Sequence, residues 1–320
     1  MTTTPDPVTL RGGDASVTLA PALGGKITSL HLGGREWLWT SDVIPYRVPD
    51  EATRADDASY VRTADTGGYD ECFPTVGPCT IPRGVPTFGG VRLPDHGELW
   101  SQQPAQRVEQ DDDGERATTT WTGRRMPYDF TREVRLGGDG RVTMRYEATN
   151  HGDAAMPFLW SAHPLLPLGE GTRLHLPHGA RLRADATHGF RAGDGEMRWP
   201  MLVMDGATVD VSRPDAIGEG RACKLFLDLP PGPVRCAIEE DGVRLEVAID
   251  GAQVTHFGVW INDRGWTPFE GGRPYRNLAF EPCIGAPDSL ADALERWHSA
   301  AWLAPGETRR WELVWGAVGA

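Results

Sequence analysis

A chain of 320 residues, 39% hydrophobic and 24% charged, has the length for a large core and the composition of an ordinary folded protein, which excludes disordered and fibrous classes. A net charge of -13 repels phosphate backbones and anionic lipid headgroups, so neither nucleic acid nor a membrane surface is an expected partner. No apolar run nears the roughly 18 residues of a spanning helix, the opening MTTTPDPVTL has no leader pattern, and five cysteines without a CxxC pair read as free thiols, so one cytoplasmic domain is expected.

The 39 glycines and 26 prolines are scattered over the whole chain, and punctuation that frequent keeps the elements between them short. Ser41 to Val91 is the least periodic stretch, rich in Pro, Gly, Asp and Arg. A run of that length without regular structure is usually functional, so it is expected to fold over a sheet mouth and form part of a binding site. Ala117 to Trp121 alternates as a half-buried strand does. Phe130 to Tyr146 reads as a hairpin turning at Gly137-Gly138-Asp139-Gly140, with Val142 to Tyr146 alternating in its second half. Lys224 to Asp228 and Arg244 to Ile249 alternate likewise, and Val234 to Ile249 turns at Asp241-Gly242. Only Asp288 to His298 has a helical pattern, with Leu290, Leu294 and Trp297 on one face and Asp288 or Ser289 as cap. One short helix cannot cover a parallel sheet, which excludes α/β folds, and the absence of a fixed-period repeat excludes propellers and solenoids. What remains is all-β, a large antiparallel sandwich of two sheets. The twelve tryptophans fill its core or line a sugar cleft.

Four segments set polar groups among Gly, Pro and aromatic residues: Gly67 to Gly77, Leu93 to Trp100, Pro157 to Pro164 and Leu278 to Asp288. His163 ends the apolar run Phe158-Leu159-Trp160, and Pro164 is expected to stop the strand. It reads as a general acid, since histidine exchanges a proton near neutrality, or as a core histidine bonded to a backbone carbonyl. Glu281 stands likewise after Leu278-Ala279-Phe280 and before Pro282, as a partly buried base or as a rim carboxylate paired with Arg276. His96 has Asp95 and Glu98 beside it but no second histidine at ligand spacing, and His175 and His178 read as loop residues, so no metal is expected. Asp70 and Glu71 read as ligands of sugar hydroxyls or as solvated loop acids. As neighbours on an extended strand they point to opposite faces and do not form the facing carboxylate pair of a hydrolase. Lys224 starts a strand from which it is expected to reach a ligand over the sheet face, and Trp160 and Trp260 either stack on a ligand ring or pack the core. Arg47, Arg54, Arg62 and Arg83 in the long loop keep a phosphorylated or acidic sugar open.

Taken in order, these segments resemble the aldose 1-epimerase (galactose mutarotase-like) family, including its hexose-6-phosphate epimerase branch. The likeness runs from Pro21-Ala22-Leu23-Gly24-Gly25-Lys26-Ile27 and Gly34-Arg35-Glu36 through Gly67, Gly68, Phe73, Pro74, His96-Gly97 and His163 to Glu281. The resemblance implies a supersandwich with an open cleft across one sheet, a small-molecule sugar as partner and no cofactor, because exchanging anomers moves only two protons. It implies Glu281 as the base that takes the C1-hydroxyl proton, His163 as the acid that protonates the ring oxygen, and His96 as a second cleft histidine on the ring-oxygen side. Asp70, Glu71 and Lys224 are expected to bind the substrate. Asp70 and Glu71 depart from the sugar-phosphate branch, which tends to be apolar there, and an acidic pair repels a phosphate; a free sugar is therefore expected. Sugar binding without catalysis stays open on the same scaffold, as does glycoside cleavage by Glu281 with Asp70 or Glu71.

Overall fold

A computed structural model of the chain describes residues 6–50, 53, 59–111 and 114–319. Among these residues two large antiparallel sheets, of 13 and 8 strands, face each other as the expected sandwich. In the larger sheet Val8–Gly12, Ala15–Ala20, Lys26–Leu32, Tyr69–Cys72, Trp160–Pro167, Arg276–Ile284, His256–Asp263, Arg221–Asp228 and Arg181–His188 lie side by side in that order. The smaller sheet is centred on Thr308–Gly319, Val142–Asn150 and Tyr128–Leu136. Both hairpins form where the glycine turns predict them, closing at Leu136 opposite Val142 and at Glu240 opposite Val243. The helix forms over Leu290–Glu295, and Ser289 is its cap, accepting from the Asp292 N–H at 3.3 Å.

The middle strands of the smaller sheet alternate between buried and more exposed residues, as in Tyr128–Leu136 and Val142–Asn150, because one of their faces meets solvent. The central strands of the larger sheet do not. Trp160–Pro167, Arg276–Ile284, His256–Asp263 and Arg221–Asp228 are buried almost throughout, since their second face lies under loops that build a cleft. Ser41 to Val91 supplies part of that cover. It also contains a helical turn, Tyr60–Thr63, and the strand Tyr69–Cys72, which pairs with Trp160–Pro167.

Between the sheets the core is aromatic. Trp160 of the larger sheet packs 4.8 Å from Tyr146 and 5.0 Å from Trp311 of the smaller one, ring centre to ring centre, and Tyr146 stacks on Trp311. Such pairs add about 0.5–1.5 kcal/mol each to the area they bury. An ion pair crosses the same layer, Glu71 of the larger sheet to Arg132 of the smaller at 3.1 Å, with both residues buried. The five cysteines are free. No helix among the described residues is long and apolar enough to cross a membrane.

Candidate active site

Four adjacent strands carry the site, and the two-residue period of each sends alternate side chains away from the smaller sheet. Ser161 and His163 project from the first, Glu281 from the second and Lys224 from the fourth, and they meet over the third, where Gly258 stands. A Cβ on Gly258 would sit 3.3 Å from both the Glu281 carboxylate and the Cys283 sulfur, so the bare backbone makes the room in which the carboxylate lies. Pro164 and Pro282 do not end their strands. The pairing between Trp160–Pro167 and Arg276–Ile284 lapses between the pairs Ser161/Cys283 and Leu165/Ala279, so prolines with no N–H to donate fit inside the sheet there. His163 and Glu281 stand in that gap.

Glu281 is 0% exposed. It accepts hydrogen bonds from Lys224 Nζ at 2.6 and 2.7 Å, one to each oxygen, and from Ser161 Oγ at 2.9 Å. Its Oε1 lies 3.9 Å from His163 Nε2. Arg276, the alternative partner, pairs instead with Asp263. Lys224 also reaches Asp288 Oδ1 at 3.3 Å. Burial opposes the lysine's charge, but Asp288 and Glu281 outweigh it and hold the ammonium above its ordinary range.

The two histidines differ electrostatically. His163 is pushed well below the usual histidine value, first by burial and then by the charges of His96 and Lys224. Its Nδ1 has no partner, so it is not the core histidine bonded to a carbonyl. His96 is half-buried, but Asp95, bonded to its Nδ1 at 2.8 Å, together with Asp65 and Asp288, overcomes the desolvation and raises its pKa. Near neutrality the proton therefore favours His96 over His163. The His96 ring stacks on Tyr60 at 3.9 Å and meets His163 edge-on at 5.0 Å. Gly97 makes this turn: its φ is +70°, and a Cβ there would lie 2.2 Å from the Phe73 carbonyl oxygen.

Asp70 and Glu71 do not bind at the cleft surface, contrary to the sequence expectation. The pleat sends Glu71 into the layer between the sheets, where Arg132, Tyr146 and Trp160 donate to it and burial pushes its pKa up to about 7. Asp70 takes the cleft side, but its carboxylate is consumed by Lys26 and by the Tyr60 hydroxyl, so it supports the ring on which His96 stacks. The tryptophans divide similarly, with Trp160 in the core and Trp260 on the cleft wall beside Trp266. Arg47, Arg62 and Arg83 do not line the cleft, and Arg54 lies outside the described residues.

The cleft holds about 200 Å³, below the roughly 300–1,000 Å³ of drug-sized sites and suited to one sugar ring. Asp65, Asp288, Asn277, His188 and Trp266 line it as well, and sequence reasoning missed all five. Asp288 or Ser289 read as the helix cap; Ser289 takes that duty and leaves the aspartate to the cleft. Burial raises Asp65 to about 6 against the pull of His96 and Lys26. Asn277 was within reach of the strand period, four residues before Glu281 and hence on the same face. Among the described residues no group of three or more His, Cys, Asp and Glu is arranged to hold a metal ion.

Residues 6–194 match the sequence profile of the aldose 1-epimerase family. No curated protein sequence matches the chain. Among solved structures the chain is similar to the Slr1438 protein of Synechocystis sp. PCC 6803, with a TM-score of 0.69 and 17% identity over 100% of this chain and 99% of that one. It is similar to a galactose mutarotase-like protein of Clostridium acetobutylicum, with a TM-score of 0.65 and 12% identity over 98% and 95%. It also resembles a galactose mutarotase related enzyme of Lactobacillus acidophilus, with a TM-score of 0.61 and 14% identity over 98% and 98%. At such identities the structural likeness is one of fold; the profile, spanning more than half of the sequence, goes further, and the chain belongs to the aldose 1-epimerase family.

Proposed function

We propose that the protein is a mutarotase that interconverts the α and β anomers of a free aldose, with Glu281 as base and His163 as acid. One observation carries this reading: a fully buried carboxylate, held by a lysine and a serine, stands 3.9 Å from the nitrogen of His163, which with that lysine lines a cleft of one-sugar size. Lys224 and Ser161 stabilise Glu281 as an anion, the form that accepts the C1-hydroxyl proton. His163 is neutral at rest and acts in the fraction that gains a second proton: burial, with the charges of His96 and Lys224, makes that imidazolium a strong acid, which passes its proton readily to the weakly basic ring oxygen. The C1–O5 bond then opens to the aldehyde. Rotation about C1–C2 and reclosure, with both protons returned, yield the other anomer. His96, oriented by Asp95 and Tyr60, donates toward the ring-oxygen side. No cofactor is asked of a reaction that moves two protons, and two acid–base groups worth about a hundred to ten thousand fold each suffice.

The test is Glu281→Gln, followed by polarimetry or anomer-exchange NMR. It should keep sugar binding within a few fold and lower kcat by about a hundred fold or more, and adding His163→Asn should cost far less than the product of the single losses. Wild-type rates in both folded single mutants overturn the mechanism. Sugar binding by the wild-type protein without any acceleration establishes a non-catalytic binder instead.

A further inference from the structure

Asn277 lines the cleft, is 1% exposed, and its Oδ1 has no hydrogen-bond partner within the protein. A buried amide oxygen left so is disfavoured unless a ligand group meets it. Asn277 shares a strand and a face with Glu281, four residues along, which sets the two about 13 Å apart. A sugar ring held at the Glu281 end therefore extends along this strand toward Asn277. Ala279 lies between them, flanked across the sheet by Leu165 and Trp260, so the floor and wall of that span are apolar.

The Asn277 end of the cleft carries no cation. His188 is held below the ordinary histidine value by burial, which keeps it neutral at pH 7. The cleft's cations, Lys224 and His96, gather at the Glu281 end. The cross-strand neighbour Asn262 is fully engaged in the turn that fixes Trp266, accepting from the Gly265 and Trp266 N–H groups and donating to the Trp266 carbonyl. Among the residues lining the cleft, Asn277 is one whose buried amide oxygen is left without a partner in the protein.

We infer that Asn277 is a specificity residue that hydrogen-bonds the C4 or C6 hydroxyl of the sugar, so that loss of that hydroxyl, or a phosphate on it, weakens binding. This rests on the mutarotase reading for putting C1 at Glu281. A neutral amide bonds a hydroxyl but does not neutralise a phosphate or carboxylate, whose charge would be desolvated there without a cation beside Asn277.

The experiment takes the aldohexose that the wild-type protein turns over best, its 4-deoxy and 6-deoxy analogues and its 6-phosphate. One deoxy analogue should show a KM about tenfold higher with kcat little changed, and the 6-phosphate should be worse by at least tenfold. Asn277→Ala should raise KM about tenfold for the parent sugar and leave that deoxy analogue unaffected. Equal effects on all sugars, no effect on any, or a preference for the 6-phosphate overturns the assignment. The wild-type comparison needs no variant, so misfolding of Asn277→Ala leaves it decisive. Should the wild-type protein accelerate no anomer exchange, the mutarotase reading falls, and calorimetric binding of the same four sugars still tests Asn277.

Discussion

Lys224 donates to both oxygens of Glu281, at 2.6 and 2.7 Å, while its charge is also felt by Asp288 at 3.3 Å. One ammonium thus serves two carboxylates, and removing it leaves Glu281 with the Ser161 hydroxyl as its donor and Asp288 with the charge of His96. In Lys224→Met the buried carboxyl is better off protonated, and a protonated carboxyl is no base. Activity at pH 7 should fall by about a hundred fold or more and recover in part as the pH is raised. A pH–rate profile from 5 to 9 checks this, and an equal loss at every pH contradicts it.

The histidines should titrate in opposite senses. Asp95 raises His96, and the charge so retained is one of the causes that depress His163. In the wild-type protein, histidine NMR should find His96 largely protonated at pH 6.5 and His163 neutral. Asp95→Asn should lower the His96 pKa and raise that of His163 together. A raised histidine stabilises the fold fully below its unfolded value, and this is lost as pH rises through the folded one, so the variant should lose stability mainly at and below pH 6.5. An unmoved His163 breaks the proposed coupling.

Asp65 is predicted to oppose stability. Its pKa rises from 3.8 to about 6 on folding, so the folded state binds the extra proton and ionisation above pH 6 is unfavourable. Asp65→Asn should therefore stabilise the protein by up to about 3 kcal/mol at pH 7.5, and by only about 1 kcal/mol at pH 4.5. Urea unfolding at the two pH values measures it. A destabilised variant at pH 7.5 refutes it.

Arg132 should matter for the fold and not for the sugar. Arg132→Met strands the Glu71 carboxylate between the sheets, which costs about 3–5 kcal/mol where the acid is charged. Because burial already lifts Glu71 to about 7, the loss should be larger at pH 8 than at pH 6. KM of the folded variant should be unchanged. A KM effect with unaltered stability would return Glu71 to the cleft.

The two hairpins and the capped helix were legible because turn glycines and a single exposed face leave local signatures, as the alternation of Tyr128–Leu136 does. The cleft strands were harder, since both of their faces are buried and alternation disappears. His163, Glu281 and Lys224 stood out as polar groups in apolar runs, and the structure brings the three together. Glu71 misled because its partner Arg132 is 61 residues away and nothing local announces it. Asp288 misled because an aspartate before a helix has a sufficient local explanation.

Asp70 and Glu71 give the short strand Tyr69–Cys72 a parity. Insertion of one residue just before it would turn each acid to the other side: the shorter aspartate would face Arg132, and the longer glutamate would crowd Lys26 and Tyr60. Insertion of two residues would restore both assignments. Length variation at Gly67 and Gly68 is therefore tolerable only in even steps, a rule that a small set of insertion variants can read directly.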